Sequence, residues 1–144
     1  ANTGHANVIP ANKVREGQAI LALSEPRPEI EPYDATLAGA AFAADGKAMN
    51  KGSILPGMFL GALAVKARRF DDEMRIAAAR TLAEVAPEGD LLPTPLDEGV
   101  HAAVASSVAK AAIRSGLATR DVSESSLEPD VFEAVISRQR NLPL

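Results

Sequence analysis

Apolar positions follow two regimes along the chain. In the first third they come in short runs broken by prolines. Ala19-Ile20-Leu21-Ala22-Leu23 is continuously apolar, the pattern of a strand buried on both faces of a parallel sheet. Ser24-Glu25-Pro26 ends it sharply. Ahead of it, Pro10 can open a short helix over residues 10–16 that Gly17 closes. Beyond it, Pro26, Pro28 and Pro32 keep the chain extended, because proline disfavours helix in the residue before it. A second apolar patch, residues 38–44, ends at the turn pair Asp45-Gly46 and predicts a short helix followed by a short strand.

From Pro56 onward the spacing is helical. Residues 58–65 are apolar nearly all round, which predicts a buried helix. Asp71, Asp72 and Glu73 start a second helix, where acidic groups suit the positive end of the helix dipole. It carries Met74, Ala77, Ala78, Leu82 and Val85 on one face and stops before Pro87. Residues 94–98 begin a third, in which Val100, Val104, Val108 and Ala112 recur every four residues and Gly116 is the expected C-cap. Residues 119–128 are polar and read as a loop. Pro129 opens a last helix with Val131, Phe132, Val135 and Ile136 as its apolar face. No internal repeat or low-complexity tract interrupts the pattern.

Composition narrows the picture. The 144 residues fit one domain, and 47% are hydrophobic, enough for a core. Aromatics are only 3%, with no Trp, so Ala, Val, Leu and Ile must build it. The net charge of -4 is spread over interspersed acids and bases, which argues against nucleic acid as a partner. With no cysteine, disulfides and Cys-based zinc sites are excluded, and a cytoplasmic setting is the default expectation. No apolar run approaches the roughly 20 residues that span a bilayer. The start at Ala1 lacks both a signal-peptide pattern and a Met and reads as a processed or cut end.

One or two strands followed by three or four helices make an odd complete fold, since a parallel strand needs neighbours. Either loops conceal further strands, or the chain is part of a larger α/β domain. A partial sheet leaves strand edges to be covered, so oligomerisation is expected.

Several segments carry a family resemblance. Residues 22–32, A-L-S-E-P-R-P-E-I-E-P, resemble the strand-end segment A-L-(A/S)-N-P-x-P-E-I-x-P of bacterial malic enzymes. Ala38-Gly39-Ala40-Ala41 and Ala44-Asp45-Gly46 resemble the A-G-A…A-T-G that follows it, and residues 56–63 resemble the helix start F-P-G-(I/L)-F-x-G-A-L. Ala67-Arg68-Arg69, Asp72-Glu73-Met74, Ala77-Ala78-Ala79 and the helix within 93–118 are similar too. The match runs in order over about residues 3–120; residues 121–144 resemble nothing identified.

The resemblance implies an α/β fold: an incomplete Rossmann-like nucleotide-binding domain with a few parallel strands and a mostly helical C-terminal half. Residues 1–120 would be the C-terminal part of the NAD(P)-binding domain, and 121–144 a polar loop and short helix. It implies oxidative decarboxylation of malate to pyruvate with NAD or NADP and divalent Mg or Mn, whose ligands lie outside this chain. Thr3 and Gly4 would form a small-residue turn near the cofactor ribose, and residues 23–26, with Ser24 and Glu25, would lie beside the nicotinamide. Asn50 would contact cofactor and substrate, and Lys51 substrate.

Much of the family's machinery has no counterpart here. The sequence contains no G-x-G-x-x-G, the loop whose N–H groups hold a pyrophosphate. The family's Tyr acid, Lys base and metal-binding acids lie upstream of the matched segment, and Tyr33 does not fall at the matching place. No catalytic residue can therefore be assigned. Two departures fall inside the match. Glu25 replaces the family's Asn before Pro26, and the Asn-Asn pair before the F-P-G helix is Asn50-Lys51, with Leu55 in place of the Phe. Glu25 would repel an anionic substrate, and Lys51 adds a cation. Either the two compensate as an ion pair or both are solvent-exposed drift; a nitrogen-to-oxygen separation beyond about 4 Å excludes the pair.

Other polar residues read as structural. His5 and His101 lack metal-ligand spacing, Ser24 lacks a nucleophile context, and Ser106 and Ser107 sit mid-helix. Arg68 and Arg69 would meet Asp71, Asp72 or solvent. Three functions remain open: part of a malic enzyme, inactive as this segment alone and completed by the rest of the enzyme or a homo-oligomer partner; a degenerate relative serving as an oligomerisation or scaffold module; or a decarboxylating dehydrogenase of altered substrate, with Lys51 reading an extra anionic group.

Overall fold

Strand β1 (Ala19–Ala22) runs parallel to β2 (Phe42–Asp45), with Ala19 opposite Phe42 and Ala22 opposite Asp45. The computed structural model describes residues 1–47, 52, 54–88 and 90–140, without the side chains of Gln139 and Arg140. It divides into two units, residues 1–50 and 51–144.

In the first unit, helix α1 (Pro32–Leu37) is the crossover between the strands. Ile20 and Ala22 of β1 pack with Ile30, Ala35 of α1 and Ala40 into a small core. Ala19 and Leu21, on the opposite face, are exposed. The strand is therefore buried on one face, not two, because α1 covers only one side of it. A further edge contact completes β1. The Ala1 ammonium donates to the Leu21 carbonyl, and the Leu23 N–H donates to the Ala1 carbonyl at 2.9 Å. Those two bonds bracket Ala22 as a parallel neighbour would.

Three local expectations shift in this unit. The helix over residues 10–16 is only a 3-10 turn, Ala11–Lys13, with Gly17 at φ 76° beyond it. Pro32 does not extend the chain but opens α1 at its first position, where its missing N–H costs nothing. The helix expected within residues 38–44 does not form; the helix of this region is α1, which ends at Leu37. The strand before Asp45-Gly46 forms where the pattern placed it.

The second unit is built around helix α4 (Glu98–Arg114), which packs against α2 (Leu55–Ala64), α3 (Asp72–Val85) and α5 (Pro129–Arg140). Val100, Val104, Val108 and Ala112 are all buried, as their spacing predicts, and so are Ala102, Ala105, Ala109 and Ala111. Small side chains around most of the helix let three neighbours approach it at once. Asp97 caps its start, its carboxylate accepting from the Gly99 N–H at 2.9 Å, and Gly116 lies just past its end at φ 70°. Asp71 caps α3 by accepting from the Met74 N–H at 2.9 Å. The polar stretch before α5 contains a 3-10 turn, Glu124–Leu127, tied to α4 by Lys110 and Glu128 at 2.8 Å.

Helix α2 corrects its forecast. It is not buried all round: its buried residues are Gly57 and Gly61, while Phe59 and Leu63 are 53% and 72% exposed. The glycines face α4 because nothing larger fits there. A Cβ on Gly57 would stand 2.7 Å from the Val104 Cβ, and one on Gly61 would strike the Ala105 carbonyl. The large apolar side chains are thereby turned outward. On α5, Phe132 is buried while Val131 and Val135 are exposed. Among the described residues no helix is long and apolar enough to cross a membrane.

Candidate functional site

The carboxyl end of β1 runs directly into a buried polar knot. Glu29 is 0% exposed and Ser24 5%. The Ser24 hydroxyl donates to Glu29 Oε1 at 2.7 Å, and the Ser24 N–H donates to Glu29 Oε2 at 3.2 Å. From the N-terminal segment, the Thr3 N–H donates to Glu29 Oε1 at 2.7 Å and to the Ser24 hydroxyl at 3.1 Å, and the Gly4 N–H donates to that hydroxyl at 2.8 Å. Gly4 has φ 74°, a conformation few side chains tolerate.

Burial opposes ionisation of Glu29. The Ser24 hydroxyl and the N–H groups of Thr3, Glu29 and Ser24 outweigh it and hold the pKa at about 2, below the usual 4.5. At neutral pH the group is a fixed anion with both oxygens engaged, so it cannot act as a general base.

Beside this knot, a crevice of about 370 Å³ opens at the carboxyl ends of β1 and β2. Ser24, Glu25, Pro26 and Pro28 line one side and Asp45, Gly46 and Lys47 the other. In open parallel sheets ligands bind at this end of the strands. Glu25 lies over Gly46, where an added Cβ would meet its Oε1 at 3.3 Å. Asp45 accepts from the Lys47 N–H at 3.0 Å, closing the turn after β2. The crevice thus offers two carboxylates, one ammonium group and backbone polar atoms. It has the size of part of a dinucleotide, not the whole.

Of the residues singled out in the sequence, Thr3, Gly4, Ser24 and Glu25 come together at this end of the sheet. Asn50 and Lys51 lie outside the described residues, and so does the Glu25–Lys51 separation. Glu29 falls on the P-E-I of the family motif, but no role was read for it, because a lone charge ordinarily reads as surface. Asp45 was read as half of a turn pair and as part of the A-T-G resemblance, and Lys47 was not singled out. Tyr33 is 73% exposed on α1. His101 bonds the Pro95 carbonyl through Nε2 at 2.7 Å, and its buried Nδ1 has no partner among the described residues. Ser107 bonds Thr81 at 2.8 Å, a packing role. Asp71 is held below the usual carboxylate range by the Met74 N–H, against burial, with help from Ser115 and Arg69. Among the described residues no three His, Asp or Glu side chains gather as a metal site.

Known proteins resemble this chain in sequence and fold. NAD-dependent malic enzyme 1 of Bacillus subtilis is 49% identical over 113 residues, which cover 78% of this chain and 26% of that protein. The crystal structure of malic enzyme from Pyrococcus horikoshii superposes with a TM-score of 0.84 at 32% identity, covering 96% of this chain and 34% of that one. The chain belongs to the malic enzyme family. An NADP-dependent malic enzyme of Escherichia coli is 32% identical over 137 residues, so relatives named for either nucleotide resemble it. No protein-family model matches the sequence. The chain spans about a quarter of the length of the first curated relatives it matches. Its two parallel strands and mostly helical remainder form an incomplete Rossmann-like α/β domain.

Proposed function

We propose that residues 1–120 form the C-terminal part of an NAD(P)-binding domain, followed by residues 121–144 as a polar loop and closing helix. The protein they belong to oxidatively decarboxylates malate to pyruvate and CO2, with NAD or NADP taking the hydride and a divalent metal assisting. The observation that carries this reading is the crevice at the carboxyl ends of β1 and β2, joined by hydrogen bonds to the Thr3-Gly4 turn. Family membership supports the chemistry.

Within it, this chain supplies one wall of the cofactor cleft. Thr3, Gly4, Ser24 through its backbone, and Glu25 line the nicotinamide and ribose end, with Asn50 toward cofactor and substrate and Lys51 toward substrate. The described residues do not assemble a metal site, so no step is assigned here to the metal.

The test is malate-dependent reduction of NAD+ and NADP+, with Mg2+ or Mn2+, by the native protein from its source and by the 144-residue chain alone. Activity in a longer native protein and none in the isolated chain is the expected result. A native protein of 15.0 kDa that reduces neither nucleotide overturns the enzymatic reading. It would favour a second one, an oligomerisation or scaffold module, for which the outward-facing Leu55, Phe59 and Leu63 of α2 speak.

A further inference from the structure

We propose that Glu29 and Ser24 are a positioning pair: they lock the Thr3-Gly4 turn to the end of β1, and neither side chain touches the ligand. This rests on the crevice being part of a cofactor site. Thr3 and Gly4 lie 21 and 20 positions from Ser24 in sequence, and nothing covalent holds them in register. The hydrogen-bond inventory of Ser24 shows what does. A hydroxyl has one proton to donate and two lone pairs to accept with. The proton goes to Glu29, and the lone pairs take the N–H groups of Thr3 and Gly4. The hydroxyl is saturated and has nothing left for a ligand. Glu29 takes three donors from two segments on its two oxygens and is wholly buried. Ligand contacts from this segment therefore fall to the Glu25 side chain and to backbone atoms.

The charge of Glu29 matters as well as its shape. Each donor aimed at it makes a charge-assisted bond, and a neutral replacement leaves buried N–H groups poorly paired. A Gln has one acceptor oxygen and would turn a donor NH2 toward groups that are themselves donors. The groups acting on the ionisation of Glu29 are its burial and the donors of Thr3, Ser24 and its own backbone; no charged neighbour among the described residues contributes.

Amide hydrogen exchange and an acid titration by NMR on the full 144-residue chain test the pair. In the parent chain the Thr3, Gly4 and Ser24 amide signals should move together with one acid midpoint, that of the Glu29 carboxyl carbon. In Glu29→Gln that shared titration should vanish, and all three amides should exchange faster by about tenfold or more, while those of β2 change little. Ser24→Ala keeps the carboxylate and removes only the relay. There Gly4 alone should lose protection, with Thr3 still held by Glu29. Separate midpoints for the three amides, or unchanged exchange of Gly4 in Ser24→Ala, overturn the proposal, and the second variant decides if Glu29→Gln fails to fold. NADH is the probe for the cofactor reading itself. If the native protein does not bind NADH, that reading fails while the exchange data still judge the pair.

Discussion

The Ser24 hydroxyl stands 2.7 Å from Glu29 Oε1 and 2.8 Å from the Gly4 N–H, so one side chain joins the end of β1 to the chain's first turn. A carboxylate in that position links folding to acidity. Its folded pKa of about 2 lies below the usual 4.5. Its contribution is therefore complete above about pH 4.5 and is lost as pH falls toward 2. Amide signals of Ile20 and Ala22, followed by NMR through that range, should report unfolding of the first unit. In Glu29→Gln the unit should be weaker at neutral pH and lose this acid slope.

Gly57 and Gly61 are predicted to resist enlargement. Alanine usually stabilises a helix relative to glycine by about 1 kcal/mol. Here a Cβ on Gly57 meets Val104 at 2.7 Å and the His101 carbonyl at 2.8 Å, and one on Gly61 meets the Ala105 backbone. Overpacking of about 1–3 kcal/mol should win. Gly61→Ala should be the worse of the two, since backbone yields less readily than a side chain. Urea unfolding monitored by circular dichroism measures both, and a stabilised Gly61→Ala would contradict the α2–α4 packing.

Asp71 caps α3 through the Met74 N–H. Asp71→Ala should cost about 1 kcal/mol in the same urea experiment. Asp71→Asn retains an acceptor and should cost less. Because the Asp71 pKa is lowered, the carboxylate contributes fully above its unfolded pKa and loses that contribution as pH falls through the folded one. The stability gap between the parent chain and Asp71→Asn should therefore narrow in acid.

Glu25 forms part of the crevice wall beside Gly46. If a malate dianion approaches it, repulsion raises the KM. Glu25→Asn in the native protein should lower the KM for malate by roughly tenfold, the scale of one like-charge contact at a partly solvated site. Steady-state kinetics at fixed metal and nucleotide read it directly, and an unchanged KM would place Glu25 away from bound substrate.

Several elements could be read straight from the sequence because their patterns are local. The four-residue recurrence of Val100, Val104, Val108 and Ala112 forecast the buried face of α4, and Asp45-Gly46 marked the end of β2. Other features were hidden because they depend on contacts far along the chain. Hydrophobicity alone put the whole of α2 inside, whereas close approach to α4 admits only its glycines and expels Phe59 and Leu63. Pro32 looked like a breaker, and only the crossover between strands made it a helix start. At the crevice, Thr3, Gly4, Ser24 and Glu25 were picked out through family resemblance. Glu29 stood in the same family motif, but its role was hidden because its partners sit five and twenty-six positions away.

The bonds that bracket Ala22 also have a practical consequence. Because the Ala1 amine points at Leu21 and its carbonyl takes the Leu23 N–H, any residues joined ahead of Ala1 are launched along the flank of β1, toward Ala19. Native residues or a tag at that point would alike run beside the strand as its next neighbour.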